Sequence, residues 1–305
     1  MTKVLVTGAG GPAGIAVIRH LIEAGHHVVG VDVDPLSAGF ALASEHALVP
    51  RSDDPRFRDA FPEVVLAMAV DAVISTVAEE FEVLSELDLA APIWLPDQAA
   101  VEVCLDKAHF AEALEAAGVP TPATSWADDE LPPGPWVVKP RWGRGSRDVF
   151  LVDDLDGVEF AVRTIKDPVV QERIDGEEFT ADVLVDRDGQ VRACAPRWRL
   201  GVRGGISVVG ETFEDNVVAD LCRDVVAAVG LTGPINVQGF VRPDGSAVCV
   251  EVNPRFSGGL SLTLASGCDI VGEYLRGILG WDLRDEHLQS RPGVTMSRYF
   301  MEVIR

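Results

Sequence analysis

The opening of the chain limits its fold more than any later stretch. Lys3–Thr7 is a short β-branched run that breaks into Gly8-Ala9-Gly10-Gly11-Pro12-Ala13-Gly14. Ile15–Ala24 then repeats apolar residues at helical spacing through Ile15, Ile18, Leu21 and Ile22. Gly25 ends it, and His27–Val33 is a second strand. A strand, a tight turn, a helix and another strand form a crossover unit, which makes its two strands parallel. Further on, Phe57–Ala69 is amphipathic, Asp71–Val77 is an apolar strand, and Ile93–Leu95 reads as a short strand before Pro96. The first third therefore predicts an open parallel sheet with helices on both faces, an α/β arrangement.

A glycine turn after the first strand, with Asp32 ending the second, also fits a dinucleotide-binding turn in which the acid holds a ribose. On that reading the chain is an NAD(P)-dependent reductase or epimerase. The competing explanation is close packing, because a tight strand-to-helix turn needs glycine whatever it binds. The proton-transfer pair Tyr-x-x-x-Lys is absent: neither Tyr274 nor Tyr299 has a lysine four residues on.

The 305 residues carry 26 Lys and Arg against 48 Asp and Glu, a net charge of −22. Such a surface repels nucleic acid and anionic membrane. A nucleotide can still bind where local cations or a metal reverse the field. The five cysteines are odd in number and contain no C-x-x-C pair. That argues against a disulfide framework or cysteine zinc site and for reduced thiols in a cytoplasmic protein. The strand beginning at Lys3 leaves no room for a signal peptide, and no apolar run approaches membrane-spanning length.

Asp106 can cap a helix whose stripe is Phe110, Leu114 and Ala117, stopped by Gly118 and Pro120. Trp136–Pro140 is a strand with Lys139 near its end. Arg141-Trp142-Gly143-Arg144-Gly145-Ser146-Arg147 follows at once. Three arginines and a hydroxyl on a glycine loop suit phosphate oxygens, although an ordinary hairpin with solvated arginines would look the same. Val169–Val185 reads as two strands around a turn at Asp175-Gly176. Ile235–Val241 and Ala247–Val252 form a second hairpin around Asp244-Gly245. Glu251 and Asn253 are two apart, so they share one sheet face, which Gln238 can also occupy. An acid and two amide oxygens on one face suit Mg²⁺. Arg197–Gly205 is another cationic stretch. Glu79 and Glu80 follow the strand at 71–77, where they can meet an amine or simply begin a solvated helix.

The order of these elements resembles the ATP-grasp superfamily. The carriers are Lys107, Lys139 before a glycine loop, Gln171-Glu172-x-x-x-Gly176-x-Glu178, then Asn236-Val237-Gln238-Gly239-Phe240-Val241 and Val250-Glu251-Val252-Asn253-Pro254-Arg255-Phe256-Ser257-Gly258-Gly259. The closest likeness is to the carbamoyl-phosphate synthetase-like branch and its stand-alone carboxylate–amine ligases. The resemblance implies a Rossmann-like pre-ATP-grasp domain over 1–104. A small lid subdomain over 105–182 and a metal-bearing subdomain over 183–305 follow, α+β in character. It implies that Lys107 and Lys139 contact ATP phosphates, with Gly143, Arg144, Gly145 and Ser146 as the closing loop. Glu172 and Ile174 would then face adenine and Glu178 the ribose. Gln238, Glu251 and Asn253 would hold Mg²⁺ or Mn²⁺. Arg255 and Lys139 would stabilise the transferring phosphoryl group, while Arg199 or Arg203 meets the acid substrate.

The expected chemistry is transfer of the γ-phosphoryl group of ATP to a small carboxylate, then attack of an amine on the acyl phosphate, releasing ADP and phosphate. A non-catalytic nucleotide-binding protein is the other alternative to the reductase. The expected partners are small molecules, together with a second copy of the chain through the amino-terminal domain; nucleic acid and membrane are not expected. The chain holds one such ATP unit, which argues against the two-ATP route to carbamoyl phosphate.

Overall fold

The computed structural model describes residues 1–126, 129–143, 145 and 147–304. β1 (Lys3–Thr7), α1 (Pro12–Glu23), β2 (His27–Asp32), β3 (Glu45–Leu48), α2 (Phe57–Met68) and β4 (Ala72–Ile74) build a parallel sheet of order β3-β2-β1-β4. Phe57, Phe61 and Val65 of α2 cover one face together with Val83 and Leu84 of α3 (Phe81–Ser85). α1 covers the other face. The expected strand at 93–95 is reduced to a single bridge between Ile93 and Val73. Pro92 and Pro96 flank it and withhold two ladder donors.

α4 (Gln98–Leu105) and α5 (Lys107–Ala116) lead into the lid. Asp106 caps α5 by accepting from the amides of Ala108 and His109. β5 (Thr124–Trp126), β6 (Trp136–Pro140), β7 (Phe150–Val152), α6 (Leu155–Thr164) and β8 (Pro168–Glu172) follow, with the strands ordered β5-β8-β6-β7. Val158 and Ala161 of α6 pack on Val138 and Val170 to form the lid's own small core.

β9 (Glu177–Val185), β10 (Val191–Arg203), β11 (Ile206–Thr212), α7 (Asn216–Val229), β12 (Gly233–Val241), β13 (Ala247–Asn253), α8 (Leu260–Ala265), α9 (Ile270–Ile278) and β14 (Thr295–Ser297) complete the chain. The strands make an antiparallel sheet, β13-β12-β9-β10-β11-β14. β8 and β9 are therefore not a hairpin: they belong to different sheets, and residues 173–176 join them. The amide of Arg173 donates to Pro135 O on the lid side, while Gly176 abuts the Val241 carbonyl on the other. β9 runs unbroken across position 182, the expected subdomain boundary.

One face of the six-stranded sheet is apolar. Phe179, Ala181, Val183, Val237 and Cys249 pack there against Val218, Leu221, Cys222 and Val225 of α7. Near the junction with the amino-terminal sheet, Leu184, Phe256, Tyr274 and Leu275 share a core with Val17, Ile18 and Leu21 of α1. Four cysteines are buried, Cys194 is half-buried, and all five are free. Among the described residues no helix is long and apolar enough to cross a membrane.

Candidate active site

Strand register builds the other face of the sheet. Arg197 pairs with Thr180, Thr180 with Gln238, and Gln238 with Glu251; one step along, Asp182 pairs with Asn236 and Asn236 with Asn253. Directly paired residues project to the same side, so these polar side chains form two adjacent rows. A slip of one residue would exchange them with Phe179, Ala181 and Val237 and bury the wrong set.

Part of these rows is a buried ionic cluster. Asp182 Oδ2 accepts from Arg197 Nη1, from Thr263 Oγ1 at 2.7 Å and from Ser257 Oγ at 3.1 Å. Oδ1 accepts from Arg197 Nη2 at 3.2 Å and from Asn236 Nδ2 at 3.0 Å. Five donors thus meet a carboxylate that is 1% exposed. A Cβ on Gly259 would lie 2.7 Å from Arg197 Nη2, so this glycine makes room for the guanidinium. None of these partnerships was evident from the sequence. The polar alternation Glu178, Thr180, Asp182 along β9 was the available signal.

The expected metal face comes together. Asn253 Nδ2 donates to Glu251 Oε1 at 3.2 Å, and Arg255 Nη2 donates to Asn253 Oδ1 at 3.0 Å. Gln238 Nε2 donates to Asn236 Oδ1 at 3.2 Å, and Gln238 Oε1 accepts from Arg199 Nη1 at 3.1 Å. One carboxylate and two amide oxygens suit a hard divalent cation.

The two lysines come from α5 and β6. Lys139 is 5% exposed and donates to Gln171 Oε1 at 2.9 Å. Burial pushes its pKa down to about 8, the Glu251 carboxylate pulls it back up, and Lys107 pushes it down further. Lys139 therefore lies within the fields of both Glu251 and Lys107. Lys107 Nζ donates to the carbonyl of Gly143 at 2.8 Å, tying α5 to the glycine loop. Arg141, the first arginine of that loop, is instead held by Asp106 and stacks on Trp126 at 4.2 Å, so it is structural. Arg144 and Ser146 lie outside the described residues.

Glu178 is half-buried, and burial raises its pKa; Arg199, at 3.2 Å, opposes that rise. Glu172 accepts from the Ala123 amide at 3.4 Å, and Ile174 is buried in the segment joining the two sheets. Arg203 is exposed at the end of β10, and neither it nor Lys107, Lys139, Glu172, Ile174 or Glu178 lines the cavity.

That cavity, of ≈ 460 Å³, lies between the polar sheet face and the amino-terminal sheet. Glu251, Asn253, Gln238, Arg199 and Arg255 line one side, Gly145 and Arg147 the lid side, and Gly8, Gly11, Pro12 and Ala13 the third. The amino-terminal glycine turn thus faces this cleft, but its acid does not serve as a ribose site. Asp32 Oδ2 accepts from the Gly10 amide at 2.7 Å and from Ser37 Oγ at 3.1 Å, and Oδ1 accepts from the Asp34 amide at 3.1 Å. A Cβ on Gly14 would lie 2.1 Å from the Gly8 carbonyl oxygen, so that glycine is explained by close packing. Glu80 is also not a solvated helix start. It is buried and accepts from Thr7 Oγ1 at 2.6 Å and Ser75 Oγ at 2.9 Å, and burial pushes its pKa up to about 7.

Comparison with known sequences and structures agrees with this geometry. The family described as ATP-grasp domain matches residues 104–259, and the PylC-like N-terminal domain matches residues 4–91. An uncharacterized protein of Sinorhizobium fredii is 28% identical over 229 residues, 66% of this chain and 47% of its own length. The chain thus spans about half the length of that relative. The L-amino acid ligase of Bacillus licheniformis has a similar fold, with a TM-score of 0.76 at 20% identity, over 96% of this chain and 78% of the ligase. So does the biotin carboxylase domain dimer of the Hydrogenobacter thermophilus 2-oxoglutarate carboxylase, solved with MgADP and bicarbonate. Its TM-score is 0.76 at 19% identity, over 95% of this chain and 72% of that one. A PylC-like amino-terminal domain followed by an ATP-grasp domain accounts for the parallel sheet, for the two antiparallel sheets and for the cleft beside them: the chain belongs to the ATP-grasp family.

Proposed function

We propose that this chain is an ATP-dependent carboxylate–amine ligase acting on small molecules. The observation that carries the reading is one polar face: Glu251, Asn253 and Gln238 line the cleft together with Arg199 and Arg255, and the Glu251 carboxylate acts on the buried lid lysine, Lys139. A carboxylate is a poor acyl donor because oxide is a poor leaving group. Attack of its oxygen on the γ-phosphorus of ATP gives an acyl phosphate and ADP. Attack of an amine then expels phosphate and leaves an amide. The protein's task is positioning and charge neutralisation.

In this reading Lys107 and Lys139 neutralise the phosphates, and Gly143, Arg144, Gly145 and Ser146 close over them. Glu172 and Ile174 frame the adenine, and Glu178 takes the ribose. Arg255 stabilises the phosphoryl group in flight. Glu251, Asn253 and Gln238 would hold Mg²⁺, or Mn²⁺, which neutralises phosphate charge when bound. Arg199 faces the acid substrate; Arg203, lying off the cavity, is the weaker of the two arginines. The acceptor end is the part of the cleft lined by the amino-terminal glycine turn. The expected first boundary, 104/105, is kept; β9 moves the second from 182/183 to the segment 173–176 that joins β8 and β9, and self-association runs through the amino-terminal part.

Incubation with ATP, Mg²⁺ and a panel of amino acids, scored for ADP and phosphate, tests the reading. Acceptor-dependent release of both supports it, and no release with any pair contradicts it. Thermal shifts separate it from the reductase: ATP with Mg²⁺ should stabilise the fold and NADH should not.

A further inference from the structure

Arg199 sits on the oxygens that the proposed ligase would need for its nucleotide. Its side chain is 7% exposed. Nη1 donates to Gln238 Oε1 at 3.1 Å and lies 3.2 Å from Glu178 Oε1, while Nη2 donates to the Gly205 carbonyl at 3.3 Å. Nε has no partner. The Gln238 amide is fixed from behind by its bond to Asn236, which points its oxygen at the guanidinium. Glu178 and Glu251 both stand on this polar face, Glu178 two residues before Thr180 on β9 and Glu251 paired with Gln238 on β13. Carboxylates gathered on one face favour a cation among them.

We propose that Arg199 is a built-in cation that competes with the metal–nucleotide for Glu178 and Gln238, and is displaced toward the acid substrate when the nucleotide binds. This rests on the ligase reading. Glu178 Oε1 and Gln238 Oε1 cannot serve a guanidinium and also a ribose hydroxyl and a divalent ion at full strength, and the two cations repel each other. Displacement frees a guanidinium whose forked donors match a carboxylate or an acyl phosphate. The arginine is thereby withheld from the acid site until the nucleotide is seated, which orders the two substrates.

The inference predicts an unusual sign. A residue that merely orients a metal ligand weakens metal binding when removed; a competing cation strengthens it. Mn²⁺ affinity should be read by electron paramagnetic resonance on the full chain without nucleotide, for wild type, Arg199→Met and Arg199→Gln. Partners just outside a metal's ligands shift affinity by roughly 10–100-fold, and here the shift should be toward tighter binding, by about tenfold. Adding Glu251→Gln to Arg199→Met should abolish the gain. Mn²⁺ should also raise the melting temperature of the Arg199 variants more than that of wild type, and acid-dependent turnover should fall. Unchanged or weaker Mn²⁺ binding in both folded variants overturns the inference. Failure of the ligase reading would look different: wild type itself would release no ADP with any acid and amine.

Discussion

The chain twice places an acid at the end of a strand beside a glycine-rich turn, and the two are wired in opposite ways. Asp32 turns inward and gives its oxygens to Gly10, Ser37 and Asp34 within its own loop. Glu251 turns outward, lines the cleft, and is held by a single amide from Asn253. The first acid stabilises a turn, and the second is available to a ligand. What separates them is the floor: Asp32 ends a short parallel strand, whereas Glu251 stands on a sheet face braced underneath by Asp182 and Arg197.

Removing the brace should have the largest effect. Breaking a buried ion pair by deleting one partner costs about 3–5 kcal/mol, so Asp182→Ala should lower stability by that amount in denaturant unfolding. An unchanged midpoint would mean that the floor does not depend on it. Next comes Glu251→Gln, which keeps the shape and removes the charge. Loss of one charge-stabilising group in such sites costs roughly 10²–10³ in turnover, and steady-state rates should show a loss of that order. Lys139 follows. Its pKa is held near about 8 by burial, so its charge is present below that pH and lost as the pH rises through it. Turnover should therefore fall on the alkaline side, and Lys139→Met should be slow throughout and lack this limb.

Asp32→Asn should leave turnover within about twofold while costing roughly 1–2 kcal/mol, because hydrogen bonds to a charged acceptor contribute on that scale. A large loss of turnover with unchanged stability would reverse the comparison. The smallest effect concerns Glu80, pushed up to about 7 from an ordinary 4.5. Between those values the folded chain keeps a proton that the unfolded chain has released, so stability should decline as pH rises through the window. Glu80→Gln should flatten that slope in thermal melts.

The legibility of the sequence follows the same division. Period-two spacing on one hairpin found Glu251, Asn253 and Gln238, because strand geometry alone puts them on one face. The capping of α5 by Asp106 was equally local. Asp182 and Arg197 were missed because each meets partners from other strands and from the loop and helix after β13, which no local pattern reports. Val169–Val185 looks like a hairpin in the sequence because a turn at Asp175-Gly176 reads the same whether its strands pair or part. Arg141 looked like a phosphate ligand within a run of arginines, and only the fold shows that Asp106 claims it.

Calorimetric titration with a non-hydrolysable ATP analogue, with and without Mg²⁺, tests the central claim most directly when wild type, Glu251→Gln and Asp32→Asn are run side by side. Binding should depend on Mg²⁺, be retained in Asp32→Asn and be weakened in Glu251→Gln by at least roughly tenfold, about 1.4 kcal/mol. Binding that ignores Mg²⁺, or that survives Glu251→Gln and disappears in Asp32→Asn, would contradict that claim.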